Sequence, residues 1–250
     1  MSARKLLNYA SLSLLICTLS FSSAFAQSPK SLKYMTEEYP PFNYQDKGEL
    51  QGVAVELLQA IWAEMGVPEQ KIQLMPWARA YADAQNKKST VLFSVTRSDE
   101  REKLFKWVGP IKSNKIGLIA KKDKGIEIKS VNDISKYTVG TVREDFSESV
   151  LVKAGYEVDE KNRTSKAVQN IKKLQAGRID LFANSIEGAM QMIKTEGLNP
   201  NDYESVWELS DVALYYAFHI DTPDALVSEF QNALNQLEGA RLELLKKYIK

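Results

Sequence analysis

The chain has 250 residues, one cysteine and one histidine, and its 33 Lys and Arg nearly balance 32 Asp and Glu, for a formal charge of +1. A near-neutral balance without basic tracts argues against nucleic acid as a partner. Cys17 alone gives no disulfide, and with His219 as the sole histidine there is no metal-ligand cluster, so neither a cofactor nor a metal is expected.

The amino terminus has the layout of a secretory signal peptide: basic Arg4 and Lys5, an apolar stretch over 12–21, and the small-x-small pattern Ala24-Phe25-Ala26 before Gln27. The stretch is short for a membrane span, which needs roughly 20 residues; an uncleaved anchor is the alternative. Cleavage after Ala26 removes Cys17, Arg4 and Lys5 and takes the charge from +1 to −1. Roughly 220 residues then remain, enough for one large or two small cores, and the mature chain is expected in the periplasm.

Beyond the leader, short β-rich runs alternate with amphipathic helices. Residues 32–35 read as a strand, followed by the turn Pro40-Pro41; Ala54, Leu57, Leu58, Ile61 and Met65 recur at helical spacing, with Gly66 at the C-cap position. Strands are expected at 72–75 and 91–95 with a helix over 77–85 between them, and Ser98 or Asp99 caps a further helix. A second series opens with a strand at 116–120. It continues with a strand at 137–142, a helix at 146–154, a helix capped by Thr164 or Ser165, and strands at 179–183 and 214–219. Helices over 223–237 and 239–248 close the chain. Such alternation implies an α/β fold with mostly parallel sheets, whose ligands collect at the carboxyl ends of strands.

The loops at those ends supply the candidate residues. Tyr39 and Phe42 flank two prolines that fix φ, and Phe42 serves either as a stacking surface or as ordinary core. Trp77 is equally a pocket wall or core. In Ser94-Val95-Thr96-Arg97-Ser98-Asp99-Glu100-Arg101, hydroxyls alternate at a strand end and Arg101 falls in a helical first turn, where the dipole disfavours a cation. Backbone N–H groups, hydroxyls and a guanidinium converging there make a carboxylate clamp; the alternative is a surface ion pair with Glu100 or Asp99.

Tyr39-Pro40-Pro41-Phe42, Gly52-Val53-Ala54-Val55-Glu56-Leu57-Leu58, Thr96-Arg97-Ser98-Asp99-Glu100-Arg101 with Trp107-Val108-Gly109-Pro110, Gly177-Arg178-Ile179-Asp180 and Tyr215-Tyr216-Ala217-Phe218 occur in this order. In that order the chain resembles the family 3 periplasmic solute-binding proteins, known as amino-acid receptors of ATP-driven importers. The resemblance implies a two-lobed type II, Venus-flytrap fold with two crossover strands. Lobe one comprises 28–112 plus 214–250, and lobe two comprises 113–213. It further implies that Arg101, rather than Arg97, grips a ligand carboxylate, with Thr96 and Ser94 nearby and Tyr39 and Trp77 lining the ligand.

Lobe two departs from the family pattern. Where the family has a Gly-Ser/Thr-Thr turn, this chain has Glu144-Asp145-Phe146 after Arg143, and Asp145 caps a helix or touches the ligand. Five residues after Asp180, where the family binds the ligand's ammonium with an Asp, stands Ser185, preceded by Asn184. Arg143, Asp145, Asn184 and Ser185 are therefore the lobe-two candidates, and Glu37, Glu38 or Asp145 could receive a cationic group. The resemblance implies a monomeric, non-enzymatic receptor of a small carboxylate-bearing molecule, partnered by the membrane permease of an ABC importer or by a membrane sensor. A lyase on the same fold is the enzymatic alternative, but His219 ends an apolar strand, where a structural role is expected.

Overall fold

The computed structural model describes residues 27–249; the leader and its cleavage after Ala26 lie outside the described residues. The elements are β1 (Lys33–Thr36), β2 (Tyr44–Asp46), β3 (Glu49–Gln51), α1 (Val53–Glu64), β4 (Ile72–Leu74), α2 (Trp77–Asn86), β5 (Thr90–Thr96), β6 (Phe105–Lys121), β7 (Val139–Val142), α3 (Phe146–Lys153), β8 (Arg163–Thr164), α4 (Ala167–Gln175), β9 (Leu181–Ser185), α5 (Ile186–Thr195), β10 (Tyr203–His219), α6 (Asp224–Gln236) and α7 (Glu238–Tyr248), with short 3-10 turns between some of them.

The main sheet has the order β4-β1-β5-β10-β6-β9-β7-β8. Pairing is parallel within β4-β1-β5 and within β9-β7-β8. The two 17-residue strands β6 and β10 run antiparallel to each other along their whole length and join the two parallel sets. Buried residues gather at both ends of this pair. Tyr34, Leu57, Trp62, Phe93, Tyr216 and Phe230 form one core, flanked by a second around Trp77, Leu92 and Phe105. At the other end, Ile119, Ile171 and Phe182 form a core on one side of the sheet and Leu118, Leu151 and Leu181 form one on the other. This is the two-lobed α/β architecture.

Three expectations need correction. No helix follows Ser98: residues 99–104 form successive turns, with i→i+3 bonds from Arg101 N–H to Ser98 O and from Leu104 N–H to Arg101 O. The chain then enters β6 at Phe105, which is buried in the core beside Trp77. The long strands also begin far earlier than 116 and 214, and their pairing carries register shifts that break the two-residue alternation. The position before α4 is Lys166, without a side-chain cap; instead Gln169 Oε1 accepts from the N–H groups of Ser165 and Lys166. The helix α5 was not expected at all.

The loop after β1 is held by its neighbours. Val53 N–H and Ala54 N–H, free at the start of α1, donate to Pro41 O at 3.1 Å and Phe42 O at 2.8 Å. This contact requires glycine at 52: φ there is +121°, and a Cβ would stand 2.5 Å from Phe42 O.

Candidate functional site

The loop after β1, the α2 end after β4, the turn after β5, the β7–α3 turn and the end of β9 converge where β6 and β10 cross from one lobe to the other. Arg101 is 5% exposed. Its guanidinium lies 5.4 Å from the Trp77 ring, 4.8 Å from Tyr81 and 5.8 Å from Phe146. It donates to Thr96 O at 3.5 Å and, across the cleft, to Glu144 O at 3.3 Å. Among the described residues no carboxylate stands within ion-pair distance of it. Arg97, by contrast, is spent at the surface on both oxygens of Glu102 at 2.6–2.7 Å. A buried cation with two long backbone bonds and no acid has unused capacity for an anion.

Trp77 is buried, stacks on Tyr81 at 5.2 Å and donates its indole N–H to Glu144 O at 2.8 Å. The Glu144 carbonyl therefore accepts two lobe-one donors, from a residue at φ +61°. Glu148 holds this turn: it accepts from Glu144 N–H at 3.3 Å, Thr141 Oγ1 at 2.6 Å and both Arg163 Nε and NH2 at 3.0 and 2.6 Å. Burial pushes the Glu148 carboxyl up, but the Arg163 and Thr141 bonds outweigh it and hold it below its ordinary range.

Tyr39 packs at 5.1 Å on Phe42, and its hydroxyl accepts from Asn114 Nδ2 at 3.0 Å. Asn114 Oδ1 in turn accepts from Ser185 Oγ at 2.7 Å, which itself accepts from Gly188 N–H at 3.1 Å. Ser185 thus caps α5 and ties the end of β9 through a crossing strand to lobe one. Asp145 caps α3: its Oδ1 accepts from the N–H and hydroxyl of Ser147, the capping alternative of the sequence reading.

Some candidates are occupied otherwise. Phe42 is fully buried in the lobe-one core, the second of its two readings. The Ser94 hydroxyl donates to Asn43 Oδ1, while Asn43 Nδ2 donates to Glu37 O at 2.7 Å, so Ser94 braces the loop after β1. Arg143 pairs with Glu160 on the surface and is not brought to Arg101. Thr96 and Asn184 are both buried, and Asn184 Oδ1 has no hydrogen-bond partner among the described residues. Sequence reasoning missed Tyr81, Asn114, Glu144 and Phe146. Tyr81 lies one turn after Trp77 on the same helix and was findable by that spacing; a backbone carbonyl such as that of Glu144 leaves no sequence signal.

Beside these residues a cavity of about 420 Å³ opens between the lobes, lined by Glu37, Glu38 and Trp77 on one side and Lys166, Val168 and Met192 on the other. Arg101 and Asp145 are not part of its wall; Trp77 and Glu37 line the cavity and also neighbour Arg101. Burial, then the charge of Asp145, pushes the Glu37 carboxyl well above the carboxylate range, with Arg101 pulling it back and Glu38 adding to the rise.

The family model of the bacterial extracellular solute-binding proteins, family 3, matches residues 32–250. The chain belongs to that family. Among its relatives is the arginine-binding extracellular protein ArtP of Bacillus subtilis, 27% identical over 243 residues that cover 92% of this chain and 90% of ArtP. Solved structures share the fold of this solute-binding protein. An ancestral arginine-binding protein bound to arginine superposes with a TM-score of 0.77 at 23% identity, over 90% of this chain and all of that one. A histidine kinase sensor domain similar to periplasmic binding proteins gives 0.76 at 20% identity, over 88% of this chain and 97% of the other. Solute binding between two lobes is the family's activity, and the clustering of buried polar groups at the crossing strands is consistent with it.

Proposed function

We propose that this protein is a periplasmic receptor, exported by cleavage after Ala26, that captures a small carboxylate-bearing solute of amino-acid type between lobe one (28–112 with 214–250) and lobe two (113–213). Working as a monomer without catalysis, it delivers the solute to the membrane permease of an ABC importer. The observation that carries this reading is Arg101, a buried guanidinium in an aromatic cage with no acidic partner among the described residues. An unpaired charge in such a place is destabilising by several kcal/mol, and a ligand carboxylate is the natural counter-ion.

Part of the cage, Phe146 and the Glu144 carbonyl, comes from lobe two. Opening the lobes therefore bares Arg101, and closing them over a bound carboxylate restores the enclosure. A ligand shifts that equilibrium only through contacts that differ between the two states. The family relationship to ArtP supports an amino-acid ligand. His219, the sole histidine, is buried and accepts Asp221 N–H at Nδ1, which supports a structural rather than a catalytic role.

A thermal-shift screen of the mature protein against amino acids, dicarboxylates, polyamines and aromatic acids tests the reading. Binding at a hundredfold excess over Kd stabilises the native state by about 2.7 kcal/mol. A hit among carboxylates that Arg101→Ala abolishes is expected; a hit that survives this substitution removes the clamp. A second reading, in which the closed form reports to a membrane sensor, draws on the likeness to the kinase sensor domain. Permease and ATPase genes beside this one, against a kinase or cyclase gene, decide between them.

A further inference from the structure

The family's ammonium-binding Asp is absent here: Ser185 stands in its place, and its hydroxyl is committed to Asn114 and Gly188. Two other carboxylates lie by the cleft, one from each lobe: Glu37 lines the cavity, and Asp145 stands between Glu144, whose carbonyl accepts from Arg101, and Phe146, whose ring lies 5.8 Å from that guanidinium. Glu37 follows β1, lines the interlobe cavity and makes no side-chain hydrogen bond among the described residues. Asp145 uses Oδ1 to cap α3, and among the described residues no hydrogen bond engages its Oδ2. Both lie within electrostatic reach of the Tyr39 ring, and Glu37 lies within reach of Arg101.

We propose that Glu37 and Asp145 together receive the cationic group of the ligand while Arg101 holds its carboxylate, so that the preferred solute is an amino acid of net charge +1. The inference rests on the interlobe cleft and Arg101 being the ligand site. Its basis is charge balance. With Glu37 and Asp145 both ionised, two acids and one base leave the closed cleft one negative charge in excess, which in the ligand-free protein is relieved by a proton on Glu37. The neighbouring cavity adds no net charge: Glu38 faces Lys166, and Glu196 is paired with Lys172 at 3.2 Å. A carboxylate with one ammonium leaves the excess in place. A carboxylate with two cationic groups removes it, and the cavity of about 420 Å³ beside Glu37 and Trp77 accommodates the extended side chain. Closure without such a ligand brings Glu37 and Asp145 together in a site depleted of water. Like charges so placed oppose closure until Glu37 takes up a proton, and a cation between them reverses the sign of the interaction. The pair therefore acts both as a specificity element and as a condition on closure.

The test uses calorimetric titration with L-arginine, its uncharged side-chain analogue L-citrulline, succinate (no cation) and agmatine (no carboxylate), on the wild type and on Glu37→Gln, Asp145→Asn and Arg101→Ala. Asn retains the helix cap at 145. The expected order is L-arginine tighter than L-citrulline, and both tighter than succinate. Glu37→Gln and Asp145→Asn each weaken L-arginine by about tenfold or more, while the ligand-free Tm of Glu37→Gln equals or exceeds that of the wild type, showing that the fold is intact. Wild-type affinity for L-arginine in both acid variants overturns the proposal. Succinate binding as tightly as L-arginine and lost in Arg101→Ala also overturns it, yet leaves the carboxylate clamp standing. Agmatine matching L-arginine, with no effect of Arg101→Ala, retains the acid pair and rejects the clamp. No binding of any of the four rejects the proposal.

Discussion

The indole N–H of Trp77 donates to the carbonyl oxygen of Glu144 at 2.8 Å, from one lobe to the other, over a separation of 67 residues. It is a latch independent of side-chain identity at 144. Arg101 shares the same acceptor at 3.3 Å, so the closed form satisfies two lobe-one donors with one lobe-two carbonyl. Trp77→Phe keeps an aromatic wall and removes the donor. A hydrogen bond of this kind contributes about 1 kcal/mol, so the closed-to-open ratio of the ligand-free protein is expected to fall by about fivefold. Small-angle scattering measures it as a larger radius of gyration; an unchanged radius contradicts the latch.

Closure also depends on what is missing at 188. A Cβ built on Gly188, near the start of α5, meets Tyr39 Cε2 at 2.9 Å and Pro40 O at 3.2 Å. The backbone there is ordinary helix and the contact within its own lobe, Ser185 Cβ at 3.3 Å, is the loosest of the three, so the approach of the lobes suffers most. Gly188→Val is expected to hold the lobes apart. Scattering at saturating ligand should then stay at the open radius, with Tm within a few degrees of the wild type. A variant that contracts normally with ligand rejects the close approach.

Much of this architecture was legible beforehand because its elements carry their own signals. The α1 stripe of Leu57, Leu58 and Ile61 is buried as its spacing implies, and Gly66 and Gly177 take positive φ just past the ends of α1 and α4. The long strands were half hidden. In β10 the residues from Glu204 to Asp211 pair only with β6, and this open edge carries Glu204, Ser205, Glu208, Ser210 and Asp211 where a buried strand would be apolar. At the site, the cap at Asp145 was readable because capping follows from residue type, and Arg101 is buried rather than paired with Glu100 or Asp99 at the surface. Arg143 was not readable: its partner Glu160 is 17 positions downstream, and nothing local marks the pair. Asn114 sits among Lys112, Ser113 and Lys115, and only the fold sets it apart as buried.

The lobe-two turn that presents Glu144 rests on Glu148 and Arg163. Glu148 is 7% exposed and accepts from Arg163 through two nitrogens and from Thr141 and Glu144 besides. Arg163 keeps a quarter of its side chain in water, so solvent screens part of the interaction. Glu148→Gln is expected to lower unfolding free energy by about 2 kcal/mol at neutral pH. The Glu148 carboxyl lies below its ordinary 4.5 in the folded protein. Its contribution is therefore fully present above about 4.5 and lost as pH falls through the lowered value. Urea titrations should show the gap between wild type and variant closing below that pH; a gap constant with pH rejects the charged pair as its cause.

Glu37 behaves with the opposite sign. Burial and Asp145 raise its carboxyl well above 4.5, Glu38 adds to the rise, and Arg101 opposes it. The folded protein thus binds a proton that the unfolded chain releases, and ligand-free stability should increase as pH drops from neutral towards 4.5, until the loss at Glu148 sets in. Ligand affinity should move the other way. A cation seated between Glu37 and Asp145 needs Glu37 ionised, so protonation competes with it and L-arginine binding should weaken as pH falls through the raised value. Roughly one proton is released per ligand bound in that range, measurable as a buffer-dependent binding enthalpy. Glu37→Gln should flatten both the affinity profile and the buffer dependence. A wild-type affinity that stays level from neutral pH down to the ordinary carboxylate value of 4.5 would place the ligand's cation away from Glu37.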